Sequence, residues 1–114
     1  MTPREKLATI RLLWVVASAD RVLTPDEREA LSAAIAEIHK ADPELVDLDL
    51  ASLARDPIDE QAEIAALTSS EARLRAYEAA VALANVDEAC SPAEQEVLDR
   101  LQQRLGIDLE QRDL

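Results

Sequence analysis

Glycine occurs once in these 114 residues, phenylalanine not at all, and tryptophan, tyrosine, cysteine and histidine once each. Each scarcity excludes something. With Gly106 as the lone glycine, a backbone cradle for phosphate has nothing to be built from. One thiol, Cys90, forms no internal disulfide and suits a reducing compartment. His39 has no second histidine and no nearby thiol, so it makes no zinc site. No Ser/His/Asp grouping and no His-Glu metalloprotease pattern is present. The run Leu12–Val16 is too short to span a membrane, and no cleavage pattern of small residues follows it. Basic residues number 12 against 24 acids, for a net charge of −12. That balance disfavours nucleic acid and anionic lipid, both of which need a basic face. The expectation is a cytoplasmic, unprocessed protein that binds no nucleic acid and does not insert in a membrane.

What is present is aliphatic. Hydrophobic residues make up 48% of the chain and are almost all Leu, Ile, Val and Ala. That composition favours helix over strand, and the length suits one domain, 1–114, with a core of its own. The acid excess concentrates between Asp42 and Glu63, where eight acids face Arg55 alone. A cation or a basic partner would suit such a stretch, but a solvated face is the simpler expectation.

The five prolines give the layout. Each follows a good N-cap residue: Thr2-Pro3, Thr24-Pro25, Asp42-Pro43, Asp56-Pro57 and Ser91-Pro92. Proline loses nothing at the first helical position, where its missing N–H would have no partner. Glu5, Glu27 and Glu94 complete capping boxes at three of these starts, and Thr68-Ser-Ser-Glu71 is a further box without proline. The spacing predicts helices over about 3–19, 25–40, 57–67, 69–86 and 92–105, with two short pieces between Asp42 and Arg55 joined by a turn near Asp47–Asp49. The anchors there are Leu45, Val46, Leu48, Leu50 and Leu53.

Apolar periodicity assigns the faces. Leu7, Ile10, Trp14 and Ala17 share one on the first helix; Leu31, Ala34, Ile35 and Ile38 on the second; Ile58, Ala62 and Ala65 on the fourth. Ala72, Ala76, Ala80 and Ala84 form a row at i+4 spacing that lets another helix approach closely. Val97, Leu98, Leu101 and Leu105 line the last helix, and Gly106 supplies its left-handed C-cap with Ile107 behind. Trp14 reads as core, with a partner-binding anchor as the alternative. Residues 108–114 are expected to fray.

Two stretches match one another. Shifting by sixty-seven lays Ala17, Asp20, Pro25, Glu27, Glu29 and Leu31 on Ala84, Asp87, Pro92, Glu94, Glu96 and Leu98, with Thr24 on Ser91. Two related helix–loop–helix units follow. If they pack about a pseudo-twofold axis, Asp20 and Asp87 converge with Glu27 and Glu94. Four carboxylates repel unless arginines or a cation neutralise them, and oxygen ligands of this kind suit calcium or magnesium. An EF-hand is excluded, because Val22 and Ala89 stand where that loop needs oxygen donors. The other reading is structural: each Asp bonds loop N–H groups and each Glu closes its capping box. Cys90, aligned with Leu23, reads as a small buried hydrophobe.

The pattern of Asp, variable pair, apolar, Ser/Thr, variable pair and Glu at Asp20–Glu27 and Asp87–Glu94 resembles the tellurite-resistance TerB-like superfamily. So does the Leu-rich last helix closing at Leu105–Ile107. The resemblance covers roughly 7–40 and 70–107. It implies a compact bundle of six to seven helices, no catalysis, and a cation held by the acidic loops. It also implies a link to metal or oxyanion stress and membrane-associated complexes. In that family Gly commonly follows the loop Asp, whereas Arg21 and Glu88 stand here. The functional expectation is a non-catalytic adaptor with a protein partner or a second copy, and the alternative is a divalent-cation sensor.

Overall fold

The alanine row of the fifth helix faces the core. Ala72, Ala76, Ala80 and Ala84 are all buried, and against their helix packs the first helix, apolar nearly all round from Leu12 onward. Small side chains on one partner let the two backbones approach and let Ile10, Leu13 and Val16 fill the space. A computed structural model describes residues 2–21, 23–86 and 91–107. Among them are six α-helices and no strand: α1 Pro3–Ala17, α2 Pro25–Ala41, α3 Leu50–Arg55, α4 Glu60–Ala66, α5 Ser70–Ala84 and α6 Pro92–Leu105. A 3₁₀ turn, Pro43–Leu45, follows α2. Helix α1 is central and touches α2, α4, α5 and α6.

The duplication is visible in the backbone. Thr24 and Ser91 cap α2 and α6 with φ/ψ of −69/158 and −69/157. Ser18 and Asn85, sixty-seven apart, end α1 and α5 with −95/6 and −108/10. Each cap hydroxyl accepts the third helical N–H at 3.1 Å. Each Glu accepts the cap N–H, also at 3.1 Å. Helix α6 buries Val97, Leu98, Leu101 and Leu105 as its periodicity requires. Gly106, at φ 72, stops it, and the Ile107 N–H returns to the Gln102 carbonyl at 3.0 Å.

Ala80 tests the close crossing. Its side chain is 1% exposed, so Ala80→Leu forces three carbons into filled space. The expected cost is about 1–3 kcal/mol in urea denaturation, whereas the same change at exposed Ala82 is expected to be near neutral.

Several expectations fail, each for a local reason. Asp56-Pro57 starts no helix. Asp59 caps α4 instead, accepting from Gln61 and Ala62, while Asp56 pairs with Arg55. Asp42 makes no cap bond either, because Lys6 of α1 takes its carboxylate at 2.7 Å. Ala62 and Ala65 are exposed, and α4 buries Glu63 and Ile64 in their place. The short length of α4 lets one buried ion set its rotation. Val46 is 65% exposed, since the chain turns there and Leu48 and Leu53 do the anchoring. On α1 the expected face holds at Ile10 and Ala17, while Leu7 and Trp14 are half-buried against the core and Ala8, Leu12 and Val16 widen its buried side.

The acidic stretch is not uniformly solvated. Glu63 receives Arg4 and Arg11, and Glu60 receives Arg100 and Arg104. The neutralising charges come from α1 and α6, far away in sequence, where a local charge count does not see them.

Candidate functional site

The two related units meet at their capping-box glutamates. Glu27 and Glu94 are each 2% exposed. In both, Oε1 is held by the N-cap backbone N–H. In both, Oε2 is buried with no hydrogen-bond donor. The two carboxyls stand within hydrogen-bonding reach of each other. Burial pushes the Glu94 carboxyl up to about 7, and donation of its proton to Glu27 pushes the same way. The bonds from Ser91 oppose that rise. Glu5 closes the same kind of box on α1, yet the Thr2 N–H holds its carboxyl below the ordinary value. The motif is one and the outcomes are opposite, because Glu94 is desolvated against a second carboxyl.

Chemically, a proton shared by the two acids satisfies both orphaned oxygens at once. A hard divalent cation is held by oxygen ligands, with water completing its shell, and the two Oε2 atoms would be this pair's contribution. Among the described residues no three His, Cys, Asp or Glu side chains gather where they would hold a metal ion. Asp20 sits half-buried in the turn after α1. Asp87 and Cys90 lie outside the described residues. Of the four acids expected to converge, the structure thus unites Glu27 and Glu94.

Arg21, which stands where the resembled family has glycine, keeps the glycine conformation. Its φ is 64, unlike any other described non-glycine residue. A left-handed arginine stores about 1–2 kcal/mol of strain, so the matched turn persists without the residue that makes it easy. The Arg21 N–H bonds the Ser18 carbonyl at 3.0 Å, fixing the turn, and the side chain points into water. His39 is structural. Its Nε2 lies 2.7 Å from the Leu48 carbonyl, tying α2 to the segment before α3.

Sequence reasoning missed one surface feature. Two open concavities flank α2, one against Val86 just past α5 and one between α2, α1 and Ala79 of α5. One is lined by Asp26, Glu29, Ala30, Ala33 and Val86. The other is lined by Lys6, Thr9, Ile10 and Leu13 of α1, Ala34, Glu37 and Ile38 of α2, and Ala79 of α5. The signal was there in Ala30, Ala33 and Ala34, more small apolar residues than the α2 core face uses.

Fold and site together define a small all-helical domain of two helix–loop–helix units packed through α1 and α5, with a buried acid pair between them. No helix among the described residues is long and apolar enough to cross a membrane. The chain belongs to the family described as tellurite resistance protein TerB, whose family model matches residues 6–114. No curated protein and no solved structure gives a significant match.

Proposed function

We propose that the chain is a non-catalytic binding domain that acts by holding a protein partner. The observation that carries this is the division between its chemistry and its surface. Glu27 and Glu94 are too deeply buried to meet a substrate, His39 is committed to a backbone carbonyl, and Asp42 and Glu63 to ion pairs. The described surface offers instead two open, largely apolar concavities along α2. Family membership supports a role in stress response or a membrane-associated assembly.

A photo-reactive residue placed at Ala34 or Ala79 in living cells checks this reading. The same protein is expected to cross-link from both positions and not from exposed Ala65 on α4. Adducts equally abundant from Ala65 would remove the reading.

The orphaned Oε2 atoms favour a second reading, a cation bound between the units with Asp20 and Asp87 as further ligands. A ligand that binds only the folded state raises the melting temperature by mass action. Sodium chloride at matched ionic strength controls for relief of self-repulsion in so acidic a chain. Calcium and magnesium are expected to do no better than that control. A saturable gain abolished by Asp20→Asn would establish the cation site instead.

A further inference from the structure

We propose that the face of α2 that opens onto Ala79 and Val86 is the docking groove for a basic amphipathic helix of a partner protein; this rests on the binding-domain reading and names the partner's chemistry. Ala30 and Ala33 share a concavity with Val86, and one to two turns further on Ala34 and Ile38 share one with Ala79. The exposed surface there is apolar without a cover. Val86, 42% exposed, is one of two large hydrophobic residues so exposed among those described. From Asp26 to Ile38 the groove is about 18 Å long at 1.5 Å per residue, the length of a helix of about 12 residues. A helix lying in it presents apolar residues every three to four positions to Ile38, Ala79 and Val86.

Charge selects among the occupants. The rim carries Asp26, Glu29 and Glu37 on α2, all exposed. The cations nearby are engaged or outnumbered: Lys6 is held by Asp42, and Lys40 faces Glu37 at 4.0 Å. A second copy would bring acidic rim against acidic rim with −12 on each chain. Residues 108–114, DLEQRDL, carry three acids against Arg112 and mismatch the rim in the same way. A helix with lysine or arginine flanking its apolar face matches both the floor and the rim.

The probe is a synthetic leucine–lysine peptide of about 14 residues, helical and amphipathic, and its control is a scrambled isomer of identical composition. Binding is read by fluorescence anisotropy near physiological salt. The amphipathic peptide is expected to bind at least tenfold more tightly than the isomer. Ala33→Gln and Ala79→Gln, which fill the groove without adding charge, are each expected to weaken it about tenfold, and Ala65→Gln to leave it unchanged. Equal binding of the isomer would reduce the effect to net charge and overturn the proposal, as would an equal loss in Ala65→Gln. Two further results overturn it by naming another occupant: a dimer that Ala79→Gln dissociates, or tighter peptide binding after removal of residues 108–114. If the peptide fails while cross-linking from Ala34 and Ala79 captures a common protein, the helix class is wrong and the binding domain stands.

Discussion

Glu94→Gln is expected to stabilise the protein above neutral pH, although it removes a buried group from a capping box. The folded Glu94 carboxyl titrates at about 7, against an ordinary value of 4.5. Between those two values the folded state holds more protons than the unfolded state. Stability therefore falls as pH rises. The contribution is complete below about 4.5 and lost as pH climbs through about 7. A displacement of that size corresponds to about 3 kcal/mol at most. Glutamine still closes the box, since its carbonyl accepts the Ser91 N–H as Oε1 does now, at 3.1 Å. Its amide N–H₂ supplies Glu27 with the donor that only a proton supplies at present. The variant should match the parent near pH 5 and exceed it by about 1–3 kcal/mol at pH 8, a gain of several degrees in melting temperature. Removing any acid from a chain of net charge −12 relieves repulsion, so exposed Glu96→Gln on the same helix is the control. A Glu94→Gln protein less stable than its parent at pH 8 would show that two carboxylates are required there, as a bound cation would demand.

The contact behind that prediction was partly legible in the chain. Equal spacing from Thr24 to Glu27 and from Ser91 to Glu94 announces two identical capping boxes, and capping is a local matter of three residues. That the two boxes face one another follows only if the units pack about an axis, which spacing suggests and tertiary contact decides. The outcome at Glu94 depends on desolvation, which no single-sequence pattern reports. Where structure is set by near neighbours, as at Pro92, Gly106 and the alanine row of α5, residue and conformation agree. Where it is set across the fold, they part. Asp42 and Asp56 look like equivalent Asp-Pro caps, yet one is taken by Lys6, thirty-six residues away, and the other is bypassed for Asp59. The left-handed Arg21 is the converse. Its side chain argues against the turn, and the packed ends of α1 and α2 impose it.

Glu63 belongs to the long-range class, and the asymmetry of its ion pairs gives the other large effect. Its carboxylate is 4% exposed and receives three bonds, from Arg4 at 3.1 and 3.2 Å and from Arg11 at 2.8 Å. The Arg4 and Arg11 side chains are 48% and 35% exposed, so they already touch water. Removing the acid and removing the bases are therefore not equivalent. In Glu63→Leu the arginines keep their hydration, and the new side chain adds apolar burial against α1. A cost below about 1–2 kcal/mol is expected, since replacing a buried ion by a hydrophobe of similar volume is often close to neutral. Arg4→Ala or Arg11→Ala alone leaves one partner in place and should cost about 1 kcal/mol. Together they strand an ion that water cannot reach, and about 3–5 kcal/mol should be lost. The double variant then exceeds the sum of the singles by 1 kcal/mol or more, which is the signature of one shared acceptor. Urea denaturation of the four proteins at pH 7 decides it. Additive losses totalling less than about 1.5 kcal/mol would mean that the pairs behave as surface pairs. They would not then fix the rotation of α4, and the burial of Glu63 in place of Ala62 and Ala65 would need another cause.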